Sequence, residues 1–346
     1  MATAPQKAGA SARAPALHAQ SVVIDGLITS HLTQEQFERF RAWGVTAANW
    51  TAVYFAHDLD DALVDLATAL DHLAGMTEYY TSVRSVADIH QAKREGKVGV
   101  ILGLQNGRPI GDRLEYVRIL HALGVRIIQL TYNERNFIGD GCTEPGDAGL
   151  SRFGRDAVRA MNRVGILVDL SHCGLRTTRE VIEWSEKPVA ITHANPSTLI
   201  RSPRNKPPEI FKALAERGGV AGMCAWSPLA AHPASERPTL EKFLDIIDYT
   251  VNLIGVDHVG FGTDHGEGVY TRDVWERKWG PQGLYPEVTG IVGPWFGFET
   301  RYVDGIHSAA LLGNLTEGLL RRGYSDEDAQ KIIGGNFLRL LGEVWQ

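Results

Sequence analysis

The sequence predicts an α/β protein whose strands close into a (β/α)8 TIM barrel. The chain has 346 residues, 44% of them hydrophobic, which is enough for one large core. Short β-branched apolar runs alternate with segments of helical spacing from about residue 20 to residue 264. This alternation is typical of parallel strands joined by right-handed crossovers, and a set of eight such strands closes a barrel.

Each predicted strand is a short apolar run that ends in a polar loop. We place the eight strands at 21–28, 45–53, 98–104, 126–132, 166–172, 188–193, 218–225 and 258–264.

Helical segments lie between most of these strands. Their apolar residues recur three and four positions apart, as Val117, Leu120 and Leu123 do, which gives each helix one buried face. The predicted helices are 58–74, 86–96, 111–124, 151–165, 177–187, 208–219 and 240–255.

The remaining segments set the domain organisation. Residues 1–19, rich in alanine, proline and polar residues, predict a flexible tail rather than a secretory signal, and 20–346 predict a single barrel domain. Loop 133–150 follows the fourth strand and is expected over the barrel mouth. The aromatic insertion 265–304 predicts either a lid, a binding loop or a subunit contact, or a patch on the barrel surface. Residues 305–346 predict three closing helices.

Composition excludes several classes of partner. The chain carries 35 basic and 41 acidic residues, a net charge of −6, which argues against nucleic acid or an anionic membrane. No run approaches the roughly 20 apolar residues of a membrane span. The three cysteines, Cys142, Cys173 and Cys224, lack CxxC spacing, so we expect free thiols in a reducing cytoplasm.

Metal-type side chains end three of the predicted strands. His172 ends GILVDLSH, His193 ends PVAITH and Asp264 ends HVGFGTD. The carboxyl ends of barrel strands open on one shared mouth, where such barrels keep their chemistry. Because neighbouring strands lie about 4.8 Å apart, both imidazoles can reach one ion. The pattern therefore predicts a metal site built on the two histidines.

Four stretches resemble the membrane dipeptidase (renal dipeptidase) family, peptidase family M19. They are VDLSH (168–172), ITHANPSTLIRSPRN (191–205), GVDHVGFGTD (255–264) and RRGYSDEDAQKIIGGNFLRLL (321–341). The resemblance covers nearly everything from Val22 onward and implies an amidohydrolase-like barrel with a two-zinc centre that hydrolyses dipeptides. It also implies that His172 and His193 share one metal. In the same family pattern Asp264 lies near the attacking water, and Arg204 binds the substrate's carboxylate.

The resemblance breaks at the ligands of the second metal. The family motif Asp-Gly-His-Asn-Asp on strand one is Asp-Gly-Leu-Ile-Thr here, so Leu27 and Thr29 replace a histidine and an aspartate. Gln105 replaces the bridging glutamate, and its neutral amide cannot offset the repulsion between two dications. Tyr132 replaces a histidine, and its phenol is either a donor to a developing oxyanion or only a packed aromatic group.

The remaining ligands fit one zinc, or another divalent metal. His172, His193 and Asp264 with one water would make the open tetrahedral arrangement of a catalytic zinc. Asp264 either ligates the metal or takes the proton of the water, and in the second case Gln105 supplies the missing ligand. We therefore predict a metal-dependent hydrolase that cleaves an amide bond in a dipeptide or small carboxylate-bearing amide.

Other residues near the strand ends are candidate substrate contacts. Asn106, Asn133 and Trp226 are expected to line the pocket, and His265 is expected to be exposed. Two other interpretations stay open: a repurposed or inactive barrel that binds a small ligand, and a metal enzyme with non-hydrolytic chemistry. A homodimer is the assembly that the family suggests, with the insertion 265–304 as candidate interface.

Overall fold

The computed structural model describes residues 10–345 of the chain, with side chains described from residue 13 onward. Residues 1–9, part of the predicted flexible tail, and residue 346 lie outside the described part.

Eight parallel strands form the predicted barrel, and a ninth strand extends its sheet. The spatial order is β1-β2-β4-β5-β6-β7-β8-β9, and β3 pairs with β4 outside this path. The strands are β1 (Ile24–Ile28), β2 (Ala47–Val53), β3 (Tyr80–Ser82), β4 (Val98–Leu104), β5 (Val125–Gln129), β6 (Leu167–Asp169), β7 (Ala190–Ile191), β8 (Val220–Cys224) and β9 (Val259–Gly262).

The barrel closes just beyond the ends of β1 and β9. Ile28 and His265 form a parallel bridge there. The backbone N–H of Asp264 donates to the carbonyl of Leu27 at 3.0 Å, and that of Thr29 donates to the carbonyl of His265 at 2.7 Å. The predicted fold class is therefore confirmed, and the closure itself holds Asp264 at the mouth.

Helices surround the strands, and polar residues mark where several of them begin. The side chains of Thr33, Ser151 and Thr239 each accept a hydrogen bond from a backbone N–H of the first helical turn. The helices are α1 (Ala10–Gln20), α2 (Gln34–Ala42), α3 (Leu59–Ala74), α4 (Val86–Glu95), α5 (Glu115–Ala122), α6 (Arg152–Val164), α7 (Leu175–Trp184), α8 (Pro208–Glu216), α9 (Ser227–Ala230), α10 (Leu240–Ile254), α11 (Arg272–Trp279), α12 (Pro286–Thr289), α13 (Gly313–Arg321), α14 (Asp326–Gln330) and α15 (Asn336–Val344).

The C-terminal helix closes the end of the barrel opposite the mouth. Phe337 of α15 packs in one cluster with Ile24 and Val220, the first residues of β1 and β8, and with Ile101 of β4. A Cβ atom at Gly260 would lie 2.7 Å from the Phe337 ring, so only glycine leaves room for this contact. Side chains thus fill this end of the barrel, and the cavity lies at the carboxyl ends of the strands.

The first helix corrects the prediction of a loose tail. Within the predicted tail, residues 10–20 form α1, and Ala14 and Leu17 are buried. His18 is also buried, and its ring nitrogens bond Thr316 Oγ1 at 2.7 Å and the carbonyl of Trp43 at 2.8 Å. The alanines that suggested disorder supply high helix propensity, and packing against the barrel supplies the rest.

Other differences concern element bounds. The predicted strands 166–172 and 188–193 shorten to β6 and β7, which places His172 and His193 in the loops just after the strands. The sequence analysis missed α2 and β3. None of the helices between residues 10 and 345 combines the length and apolar character needed to cross a membrane.

Candidate functional site

A cavity of about 490 Å³ opens at the carboxyl ends of the barrel strands. Its base contains His172, Gln105, Arg204 and Asp264. The insertion 265–304 folds over it through α11 and α12, and Trp275, Trp279 and Tyr285 from this insertion line its wall. The insertion is therefore part of the cavity rather than a patch elsewhere on the surface.

The two predicted histidines meet at the base of the cavity. Nε2 of His172 lies 3.0 Å from Nε2 of His193, and the ring centroids are 5.0 Å apart. Both rings are buried, with His193 completely enclosed.

Asn133 sets the tautomer of His172. Nδ1 of His172 lies 2.7 Å from Oδ1 of Asn133, an amide oxygen that can only accept a hydrogen bond, so this ring nitrogen carries the proton. Asn133 has a φ of 58°, a left-handed conformation that asparagine tolerates better than most residues. The Nε2 atom of neutral His172 is therefore a bare lone pair.

A carboxylate and a hydroxyl set the tautomer of His193. Thr192 donates its hydroxyl proton to Oδ2 of Asp169 at 2.7 Å, so its oxygen is left to accept from Nδ1 of His193 at 2.7 Å. Asp169 also accepts from the backbone N–H of Thr192 and from the backbone and side chain of Ser171. Nε2 of His193 therefore also carries a lone pair.

Two lone pairs that face each other at 3.0 Å repel each other, and a cation bound to both would remove this repulsion. Burial lowers the pKa of both His172 and His193 well below the usual range, and the nearby Arg204 guanidinium lowers it further, so a shared proton is disfavoured. Neutral imidazoles with their second nitrogens tied to protein acceptors are the usual form of histidine ligands. The donor set fits one divalent ion.

Asp264 faces the same cavity but does not join the histidines. Among residues 10–345, no three His, Cys, Asp or Glu side chains lie close enough together to hold an ion. The predicted ligand set of His172, His193 and Asp264 is therefore not assembled in this structure. The barrel closure and a left-handed φ of 58° fix the backbone of Asp264, and the charge of Arg204 acts on its carboxylate. Burial raises its pKa to about 7.

Gln105 lies beside the histidine pair. Its buried side chain lines the cavity, and its amide nitrogen lies 3.5 Å from Nε2 of His193. An amide can present either its oxygen or its nitrogen, so Gln105 is placed to act as a neutral neighbour of an ion held by the pair.

Arg204 is a buried cation that lines the cavity. Its guanidinium donates to the carbonyl of Ser171 and, at 3.1 Å, to the carbonyl of His193. No carboxylate in the described part of the chain forms an ion pair with it. A guanidinium that is 2% exposed and lacks an ion pair favours an anionic ligand in the cavity.

Tyr132 stands between the histidines and the aromatic wall. Its ring stacks on His172 with centroids 4.1 Å apart and on Phe55 with centroids 4.0 Å apart. Burial raises the pKa of its phenol well above the usual range, so the phenol keeps its proton and remains a hydrogen-bond donor.

The remaining predicted residues divide into two groups. Trp226 and Asn133 line the cavity as expected. Asn106 is not among the lining residues: its amide donates to the carbonyl of Phe55 and accepts from Asn136, each at 2.8 Å. His265 is buried against Tyr302 rather than exposed, because it takes part in the barrel closure.

Leu27 and Thr29 stand where the family resemblance implies ligands of a second ion. Leu27 is buried, and the hydroxyl of Thr29 donates to the carbonyl of His265 at 3.3 Å. The loop carboxylate Asp140 is held in an ion pair with Arg135 at 2.5 Å. The carboxylate of Asp140 therefore already has a partner in the loop.

The residues that orient the two histidines were not predicted from the sequence, nor were the aromatic residues that line one side of the cavity. Thr192 and Asp169 lay inside quoted motifs, but nothing in their spacing indicated a hydrogen-bonded chain to His193. Phe55 and Trp279 lie far apart in sequence, and only the fold brings their ring centroids to 5.8 Å.

Comparisons with known proteins bear on the family and the fold of the chain. A sequence model of the membrane dipeptidase family, peptidase family M19, matches residues 11–277. Dipeptidase tcpJ of Claviceps purpurea is 29% identical over 286 residues, or 81% of this chain and 60% of that protein, so this chain spans less than two thirds of that relative.

Solved structures match along nearly the whole chain. An amidohydrolase from Pseudomonas aeruginosa has a TM-score of 0.87 and 37% identity, with 96% of this chain and 99% of that chain covered. A metallo peptidase from Rhodobacter sphaeroides, liganded with a phosphinate mimic of the dipeptide L-Ala-D-Ala, has a TM-score of 0.76 over 94% of this chain and all of that one. At 19% identity the second match shows the shared fold alone.

Proposed function

Since the chain belongs to the membrane dipeptidase family, peptidase family M19, we propose that it is a metal-dependent hydrolase with a mononuclear site. Its substrate is a dipeptide or a small carboxylate-bearing amide, and the bond cleaved is the C–N amide bond.

One observation carries this proposal: the two Nε2 lone pairs of His172 and His193 face each other at 3.0 Å. Separate hydrogen bonds to Asn133 and to Thr192 fix both tautomers, so neither ring can turn a proton toward the other without losing a partner. The histidine pair would hold one divalent ion, zinc being the usual choice for such ligands, with Gln105 as its neutral neighbour. A bound ion of this kind supplies Lewis acidity that activates water and polarises a carbonyl.

The other cavity residues supply binding and proton transfer. Arg204 binds the carboxylate of the substrate, because a buried guanidinium without an ion pair gains most from an anion. Asp264 accepts the proton of the attacking water, and a pKa of about 7 suits a general base near neutrality. The phenol of Tyr132 donates to the oxygen on which charge develops.

Replacement of His193 by alanine tests the proposal. We expect purified wild-type protein to contain about one zinc, manganese or iron ion per chain, and His193→Ala protein to lack both the metal and amide hydrolysis. His90→Ala is the matched control, because His90 is exposed on helix α4 and should leave both unchanged. Turnover by metal-free His193→Ala protein would reject the mechanism, and two ions per wild-type chain would reject the mononuclear site.

A second candidate function is a barrel that binds a small ligand without hydrolysing it. The replacement of three expected metal ligands by Leu27, Thr29 and Gln105 favours it. Under this alternative, protein produced with metal supplied contains no stoichiometric ion, so the same elemental analysis separates the two functions.

The proposed location is the cytoplasm, and the proposed assembly is a homodimer. Free thiols at Cys142, Cys173 and Cys224 fit a reducing compartment. Fractionation of cells that express the protein and sedimentation of the purified protein test these two points.

A further inference from the structure

The cavity has an aromatic wall that begins at the histidine pair. Tyr132 stacks on His172, and Phe55 stacks on the other face of Tyr132 with an interplanar angle of 15°. Trp279 and Tyr285 of the insertion continue this wall, with ring centroids 6.4 Å apart and an interplanar angle of 26°. An apolar group placed beside His172 would therefore meet aromatic side chains from Tyr132 to Trp279 and Tyr285 of the insertion.

The anion-binding group lies on a different side of the histidines. Arg204 bonds the backbone carbonyls of Ser171 and His193, next to β6 and β7, whereas Phe55 and Tyr132 follow β2 and β5. An amide bond held at the histidine pair would thus have its carboxylate end at Arg204 and its acyl end against the aromatic wall.

The cavity offers few anions for an ammonium group on the acyl end. Among the described lining residues the acidic side chains are Asp65 and Asp264. Asp65 is held by Nδ1 of His57 at 2.7 Å and by the backbone N–H of Tyr54 at 3.0 Å. Asp264 has the role of proton acceptor in the proposed reaction. An α-ammonium on the acyl end would therefore lose its hydration against the aromatic wall, and its one acidic partner among the described lining residues would be the carboxylate that the proposed reaction uses as proton acceptor.

From these observations we propose that the substrates are N-acyl amino acids with a large aromatic acyl group and no ammonium next to the scissile carbonyl. This inference names the substrate class of the proposed hydrolase and depends on that function for the cleavage step. Water adds to the acyl carbon and the C–N bond breaks. The water oxygen remains in the new aryl-alkanoate, and a proton passes to the nitrogen of the departing amino acid.

A pair of compounds that differ in one group tests the inference. 3-Phenylpropionyl-glycine is phenylalanyl-glycine with hydrogen in place of the α-ammonium. In the metal-loaded full chain we expect kcat/KM for the acyl compound to be at least ~10-fold higher. In the full chain freed of metal by a chelator, calorimetry should also show tighter binding of the acyl compound.

The cleavage rate and the calorimetric affinity together distinguish failure of this inference from failure of the proposed hydrolase function. Faster cleavage and tighter binding of phenylalanyl-glycine would mean that the aromatic wall attracts the ammonium by cation–π contact, which overturns the inference and supports the hydrolase. Tighter binding of the acyl compound, with no cleavage of either compound by metal-loaded protein, would support the ligand class and overturn the hydrolase. Equal values for both compounds would overturn the inference.

Variants of the wall give an independent test. Trp279→Ala, at a half-buried position, should lower kcat/KM for 3-phenylpropionyl-glycine relative to N-acetyl-glycine by ~10-fold or more. Phe137→Ala is the matched control, because Phe137 is 66% exposed and does not line the cavity. An unchanged ratio in folded Trp279→Ala protein would exclude the wall as the acyl site.

Discussion

Removal of the Thr192 hydroxyl should weaken metal binding while the protein still folds. In Thr192→Val the side chain keeps its shape but can neither donate to Asp169 nor accept from His193. Nδ1–H of His193 then has no acceptor in a fully buried position.

The free-energy cost of Thr192→Val depends on whether the proton of the His193 ring stays on Nδ1 or moves to Nε2. A buried N–H without a partner costs about 1–3 kcal/mol. The ring avoids this cost by moving its proton to Nε2, which lies 3.0 Å from Nε2 of His172 and can donate to it. That hydrogen bond uses the Nε2 atoms of both histidines, which the proposed ion needs as ligands. Loss of a partner behind a histidine ligand typically lowers metal affinity 10- to 100-fold, or about 1.4–2.7 kcal/mol.

Competition with a chromogenic chelator measures the affinity, and denaturant unfolding measures stability in the same preparations. We expect Thr192→Val to bind zinc at least ~10-fold more weakly while still unfolding cooperatively. Thr192→Ser keeps the hydroxyl and should retain the affinity of the wild type. Wild-type affinity in folded Thr192→Val protein would refute the claim that this hydroxyl sets the tautomer of His193.

Three further results are expected. Asp264→Asn should lower kcat about 10²- to 10⁴-fold without loss of metal, because the amide cannot accept the proton of the water. Steady-state kinetics and elemental analysis measure the two quantities, and loss of metal in this variant would instead make Asp264 a ligand. Arg204→Lys should raise KM for carboxylate-bearing substrates more than for their methyl esters, since an ammonium lacks the planar donor pair; equal changes for both would contradict carboxylate recognition. Burial lowers the pKa of His18 in the folded protein. The neutral ring therefore contributes stability above the pKa of about 6.5 that His18 has in the unfolded chain, and this contribution should be lost as the pH falls through the lower pKa of the folded protein. Hydrogen exchange of α1 from pH 8 to pH 5 checks this, and His18→Gln, which has no titrating ring, should show a weaker pH dependence.

Much of the fold could be predicted because the local signals and the global fold agree. Apolar runs such as 98–104 match their strand residue for residue, and β-branched residues there suit strands buried on both faces. Helix α1 could not be predicted in this way. Its composition resembles a disordered segment, and its order depends on buried contacts with Trp43 and Thr316, which are distant in sequence.

The candidate site was predictable to the extent that it lies at strand ends. His172 and His193 converge because adjacent parallel strands end at the same rim. Asp264 lies at that rim too, yet the predicted three-ligand set does not form, because the side chain's direction depends on a backbone dihedral that residue type does not reveal. Residue type likewise did not reveal that the amide of Asn106 bonds the carbonyl of Phe55 and the side chain of Asn136.

By itself, the sequence determined the barrel, the pairing of His172 with His193 and the absence of second-metal ligands on β1. These follow from strand order and residue identity, which local pattern encodes. Only the tertiary structure decided the tautomers of the two imidazoles, the place of Asp264 and the aromatic wall. Each depends on hydrogen-bond partners or ring faces from distant segments, and these distances exist only once the chain has closed on itself.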